Sequence, residues 1–70
     1  MCVAVPGEVV KINDFLATIR VGNIYKDIYI HLVPEVKIGQ YVLVHAGCAI
    51  DIIDEEEAYR ILKLLEELYR

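Results

Sequence analysis

Phe15-Leu16-Ala17-Thr18-Ile19-Arg20-Val21-Gly22-Asn23-Ile24-Tyr25-Lys26-Asp27-Ile28-Tyr29-Ile30-His31-Leu32-Val33 is the stretch that decides the fold. Phe15, Ala17, Ile19 and Val21 alternate with Leu16, Thr18 and Arg20, which is the period of a strand with one buried face. Gly22-Asn23 follows at once, and both residues tolerate positive φ, so the pair predicts a tight hairpin turn. A third strand then runs from about Ile24 to Val33. It sets Ile28, Ile30 and Leu32 on one face and Tyr25, Asp27, Tyr29 and His31 mostly on the other, until Pro34 stops it.

Upstream of this hairpin, Glu8 to Ile12 is a β-rich run closed by the turn signal Asn13-Asp14. Downstream, a loop from Pro34 to Gly39 leads into Tyr41 to Ala46, a strand apolar on both faces and therefore central. Gly47 breaks or bends it, and Cys48 to Ile53 makes a fifth strand. The period then changes. Asp54 is placed to cap a helix with Glu57 three positions on, and Glu55, Glu56 and Glu57 complement the positive end of the helix dipole. Ala58, Ile61, Leu62, Leu65, Leu68 and Tyr69 form one apolar stripe, flanked by the four-residue pairs Glu56 with Arg60 and Glu66 with Arg70. The expected fold is mainly β: a small five-stranded antiparallel barrel of the OB or SH3 kind with a C-terminal α-helix. One domain spans residues 1–70, with the barrel over about 3–53 and the helix over about 55–69. The stripe either closes the barrel or projects to meet a partner.

Seventy residues bury a modest fraction of their surface, but 57% hydrophobic content makes a core plausible without a metal or disulfide staple. The net charge of −4 disfavours a protein whose main work is to neutralise phosphates or lie on an anionic membrane. No basic segment followed by an apolar one opens the chain, and no apolar run approaches the roughly 18 residues of a membrane span. The expectation is a cytoplasmic protein in which both cysteines are free thiols.

The chemistry concentrates at Met1-Cys2-Val3-Ala4-Val5-Pro6-Gly7. Removal of Met1 would leave Cys2 with an ammonium and a thiol on one carbon, and the neighbouring positive charge favours the thiolate, which is both nucleophile and soft metal ligand. Pro6 fixes its own φ and biases Val5 toward extended backbone, while Gly7 permits a turn or a close approach, so the head sits on a short stiff stalk. The competing reading is that Cys2 is simply buried, as cysteines often are.

A single thiolate cannot fill the coordination sphere of iron or zinc. Cys48, His31 and His45 are the other soft or borderline donors, but their spacings match no closed zinc site, so a site shared with another protein is the better solution. His45 precedes Ala46-Gly47, where small side chains allow close approach. If the start of the chain folds back, His45 could hydrogen-bond the Cys2 thiolate or its ligand; otherwise it is satisfied by backbone carbonyls. His31 reads as a surface histidine. Cys2 with His45 also resembles the start of a thiol enzyme, yet no acid or amide is evidently placed to orient the imidazole. Nucleic-acid binding by such a barrel would need basic residues interleaved with aromatics, and Lys11, Arg20, Lys26 and Lys37 are too scattered.

The opening MCVAVPGEVV, together with Gly39-Gln40-Tyr41-Val42-Leu43-Val44-His45-Ala46-Gly47 and Ala49-Ile50, closely resembles the HypC/HupF family of [NiFe] hydrogenase maturation chaperones. The likeness runs from Met1 through the segment beginning at Asp54. The resemblance implies a non-enzymatic chaperone that pairs with HypD, where an iron group carrying cyanide and carbon monoxide is assembled with cyanide supplied through HypE and HypF. It then implies delivery to the hydrogenase large-subunit precursor, with no nucleic acid or membrane involved. Carried onto this chain, Cys2 would contact iron and partner, Val3, Ala4, Val5, Pro6 and Gly7 would form the docking arm, and His45 would be a second contact. A docking adaptor without metal chemistry is the alternative. Cys48 stands where the family commonly has phenylalanine, which leaves it either a small buried group or an auxiliary ligand or redox partner.

Overall fold

The computed structural model describes residues 4–68. Five strands, β1 (Val5–Asn13), β2 (Leu16–Val21), β3 (Ile24–Tyr29), β4 (Tyr41–His45) and β5 (Cys48–Ile53), are followed by one helix, α1 (Glu55–Leu68). They close into a barrel in the order β1-β2-β3-β5-β4, so the fold is mainly β as expected. One detail differs. Neighbouring strands run antiparallel except β3 and β5, which meet in parallel at Tyr29 and Cys48. Five strands cannot alternate direction all the way round a closed ring, so one neighbouring pair has to be parallel.

The hairpin that decides the fold is built as its pattern implies. Leu16 to Val21 pair with Tyr29 to Ile24 in unbroken register, and Gly22 takes φ 62° in the two-residue turn. Ala17, Ile19 and Ile28 turn inward and are buried. On the outer face the Thr18 hydroxyl donates to Asp27 at 2.7 Å, and Arg20 pairs with Glu8 at 2.7 Å across the β1–β2 ladder. These contacts match polar partners at the outward positions and fix the register against a one-residue slip.

Two expectations for this stretch are corrected. β3 ends at Tyr29 rather than Val33, because the chain turns inward there: Val33 donates to the Ile30 carbonyl and Val36 to the Val33 carbonyl. Ile30, Val33 and Val36 are buried in the core with Val9, Ala17, Ile19, Ile28, Val42 and Ala49, while Leu32 is left exposed. Phe15 does not join the inward set either. It lies in the turn between β1 and β2, after Asp14 at φ 57°, and its ring stacks on His31 with centroids 4.7 Å apart. His31 is exposed, as a surface histidine should be.

The helix starts where its capping signal puts it, with the Glu57 N–H donating to the Asp54 carboxylate at 2.7 Å. Glu56 and Arg60 form the expected exposed pair at 3.5 Å, whereas Arg70 and Tyr69 lie outside the described residues. Only Ala58 of the apolar stripe is buried. Ile61 and Leu65 are half-buried, and Leu62 and Leu68 are exposed. The stripe therefore seats the first half of α1 on the barrel and leaves the second half largely uncovered. Among the described residues no helix is long and apolar enough to cross a membrane.

Candidate functional site

The beginning of the chain is anchored by β1. Val5, Pro6 and Gly7 pair with Val44, Leu43 and Val42 of β4, so these three arm residues belong to the barrel wall. β2 joins β1 only from Glu8 onward, which leaves one side of residues 5–7 without a ladder, and a proline there costs no strand hydrogen bond. Pro6 and Gly7 are buried, and Ala4 and Val5 are half-buried. Gly7 serves close packing rather than a turn, since its α-carbon faces the Ile19 side chain with no room for a methyl group. Cys2 and Val3 lie outside the described residues.

The same ladder brings Ala4 to the end of the sheet that carries His45. Val5 pairs with Val44 in antiparallel register, so the residue before Val5 and the residue after Val44 leave the ladder at the same end. His45 is half-buried, and its ring makes no hydrogen bond or ion pair with another described residue. The alternative, an imidazole satisfied by backbone carbonyls, finds no partner among the described residues. The small residues after it form a two-residue turn, with Ala46 at φ 54° and Gly47 at φ 79°, the arrangement of a type I′ hairpin. The Gly47 carbonyl accepts from the Tyr29 N–H at 3.0 Å, which ties the hairpin tip to the end of β3.

That turn sets Cys48 directly across from His45. Val44 pairs with fully buried Ala49 and faces the interior, so His45 and Cys48, one position further out, share the outer face. Cys48 is half-buried, and its thiol donates to the Ala49 carbonyl at 3.7 Å. Among the described residues no three His, Cys, Asp or Glu side chains come together to hold a metal. The pairing sets His45 and Cys48 on one face, by themselves an incomplete donor set for a metal.

Beside this edge the barrel wall is open. β3 touches β5 only at Tyr29, so Ile24 to Ile28 have no strand partner on that side. A cleft of about 590 Å³ results, lined among the described residues by Val5, Val21, Ile24, Ile28 and Val44, by the charged pair Lys26 and Asp27, and by Ala46-Gly47. Ile24 shares a strand face with buried Ile28, yet it is 62% exposed because no described strand covers it. The alternation in β3 places Ile24 and Lys26 on the inner face but says nothing of which strand fails to close over them, so sequence reasoning missed the cleft.

Relatives of this chain match it over most of their own length. The model of the HupF/HypC family matches residues 1–65. A protein of Synechocystis sp. called hydrogenase maturation factor HypC is 47% identical over 97% of this chain and 97% of its own length. Hydrogenase maturation factor HybG of Escherichia coli is 40% identical over 97% of this chain and 92% of its own. Hydrogenase maturation factor HypC of Azotobacter chroococcum is 38% identical over 97% and 82%. The match spans both the arm and the hairpin that carries His45, and the chain belongs to the HupF/HypC family.

Proposed function

We propose that this protein is a hydrogenase maturation chaperone, an accessory protein rather than an enzyme, which works in the cytoplasm through its amino-terminal thiol. It pairs with HypD while the Fe(CN)2CO group is built there, with HypE and HypF acting through HypD. It then passes that group to the [NiFe] hydrogenase large-subunit precursor. The iron group is cargo. Cys2 supplies the thiolate shared with the partner, and His45 is a second contact on the same edge.

The observation that supports this reading most is the Val5–Val44 register, which brings Ala4 to the same end of the sheet as His45, an imidazole with no hydrogen-bond partner among the described residues. A rigid strand at the base of a short arm limits where a thiol can travel, and it lowers the ordering entropy lost on docking. The incomplete donor set serves transfer as well, since a closed four-ligand site would hold its metal too firmly to release it. Membership of a family whose named relatives are hydrogenase maturation factors supplies the client class.

The test is co-expression with HypD, followed by metal analysis and infrared spectroscopy of the purified complex. Iron together with cyanide and carbonyl stretching bands is the expected result. Stable pairing without those bands would favour an adaptor, and no pairing would remove the proposal.

A further inference from the structure

We propose that the open edge of β3 captures an extended segment of a partner protein by strand addition, and that this segment carries a carboxylate between apolar side chains. The surface goes beyond the thiol chemistry proposed above. It holds a partner's chain, and only the identity of that partner rests on the earlier reading.

The direction in which β3 presents its backbone defines the edge. The Tyr29 N–H donates to the Gly47 carbonyl at 3.0 Å, on the side away from β2, whereas the Ile30 N–H donates to the Phe15 carbonyl on the β2 side. Backbone groups alternate along a strand, so Tyr25 and Asp27 present their N–H and C=O groups on the same side as Tyr29. On that side β5 pairs with β3 only at Tyr29, which leaves the backbone of Tyr25 and Asp27 without a protein partner among the described residues. β3 runs on past the hairpin tip at Ala46-Gly47, so a further strand can lie beside it without displacing a described one. A row of unpaired donors and acceptors above apolar ground is the template for strand addition.

The cleft under that edge supplies side-chain recognition. Val21, Ile24, Ile28 and Val44 line it and await apolar side chains. Lys26 lies between Ile24 and Ile28 on the same strand face, is exposed, and forms no ion pair with another described residue. Asp27 does not neutralise it, because alternation turns the Asp27 carboxylate to the other face, where it accepts from the Thr18 hydroxyl at 2.7 Å. A lysine on the inner face keeps an edge from pairing indiscriminately, and it admits a strand that brings a negative charge opposite it. A second copy of this chain is the wrong occupant. Antiparallel pairing of the open stretch 24–28 with itself sets Lys26 opposite Lys26, and a slip of two residues either way leaves three of the five residues paired.

The experiment titrates the full chain, followed by nuclear magnetic resonance, with a seven-residue peptide blocked at both ends. Threonine stands at its odd positions, and valine, glutamate and valine at positions two, four and six. In antiparallel register the glutamate then faces Lys26 and the valines lie beside Ile28 and Ile24. Saturable shifts centred on residues 24–28 are expected, with slowed hydrogen exchange at the Tyr25 and Asp27 amides. N-methylation of peptide positions three and five, which face β3, should abolish binding, whereas the same change at positions two and six, which face away, should not. Lysine in place of the glutamate should weaken binding about two- to fivefold, and Lys26→Glu, verified as folded by circular dichroism, should reverse that preference. No saturable shift, or binding indifferent to N-methylation, would overturn the proposal. So would Tyr25 and Asp27 amides already protected in the peptide-free chain, since the chain's own beginning or a second copy would then fill the edge. Only peptides enter the assay, so its failure leaves the thiol reading standing, and a failure of that reading leaves strand capture unaffected.

Discussion

Gly7 of β1 packs its α-carbon directly against Ile19 of β2: a methyl group on Gly7 would stand 2.6 Å from Cδ1 and 3.2 Å from Cβ of that side chain. Ile19 is 2% exposed and central to the core, so it has little room to withdraw. The contact locks the base of the amino-terminal arm to the hairpin that organises the barrel.

Gly7→Ala should therefore destabilise the fold by about 1 to 3 kcal/mol, the usual cost of overpacking a well-filled core. Urea titration followed by circular dichroism measures it. An unchanged midpoint would mean that Ile19 can adopt another rotamer without loss.

Ala46 occupies the left-handed region at φ 54°, where an L-residue other than asparagine, aspartate or glycine is strained. Ala46→Asn would give the hairpin the Asn-Gly pair that type I′ turns favour, and should raise stability by about 0.5 to 1 kcal/mol. Thermal unfolding would show a gain of several degrees, on the order of 4 °C for a domain of this size.

How much of this could be read in advance varies by element. The bounds of β5 and the start of α1 are legible because Gly47 and Asp54 are local signals, and local hydrogen bonds decide both. The end of β3 is not. Pro34 looks like the stop, but the chain leaves the strand at Ile30 because Val33 and Val36 bury themselves in the barrel, a tertiary demand that alternation does not reveal. Phe15 fits the inward pattern and is drawn out instead by a turn and by stacking on His31. For the site, His45 stands out through the motif around it. Its pairing with Cys48 needs the two-residue turn Ala46-Gly47, which reads from sequence only as a break. The uncovered cleft under Ile24 depends on which strands meet, and single-strand periodicity carries no such information.

Asp54 accepts the Glu57 N–H at the first turn of α1, and the exposed second half of that helix has little packing to sustain it. Asp54→Ala should cost about 1 kcal/mol and lower the helical signal, because an unsatisfied donor is left at the N-terminus. Far-ultraviolet circular dichroism with urea titration checks both effects.

Cys48 is half-buried on the outer face between His45 and Tyr29, with space toward solvent. Cys48→Phe, the residue that the family resemblance implies at this place, should fold and still support hydrogenase maturation when it replaces the wild-type chain. Loss of hydrogenase activity in that background would show that the Cys48 thiol takes part in the chemistry itself.

The account turns on the thiol of Cys2, and iron content of the HypD complex measures its role most directly. Wild-type protein and Cys2→Ala, each co-purified with HypD and each verified as folded by circular dichroism, are compared for bound iron and for cyanide and carbonyl bands. The variant should retain the folded barrel and lose the iron and the bands. A Cys2→Ala complex that keeps both at wild-type levels would contradict the central claim.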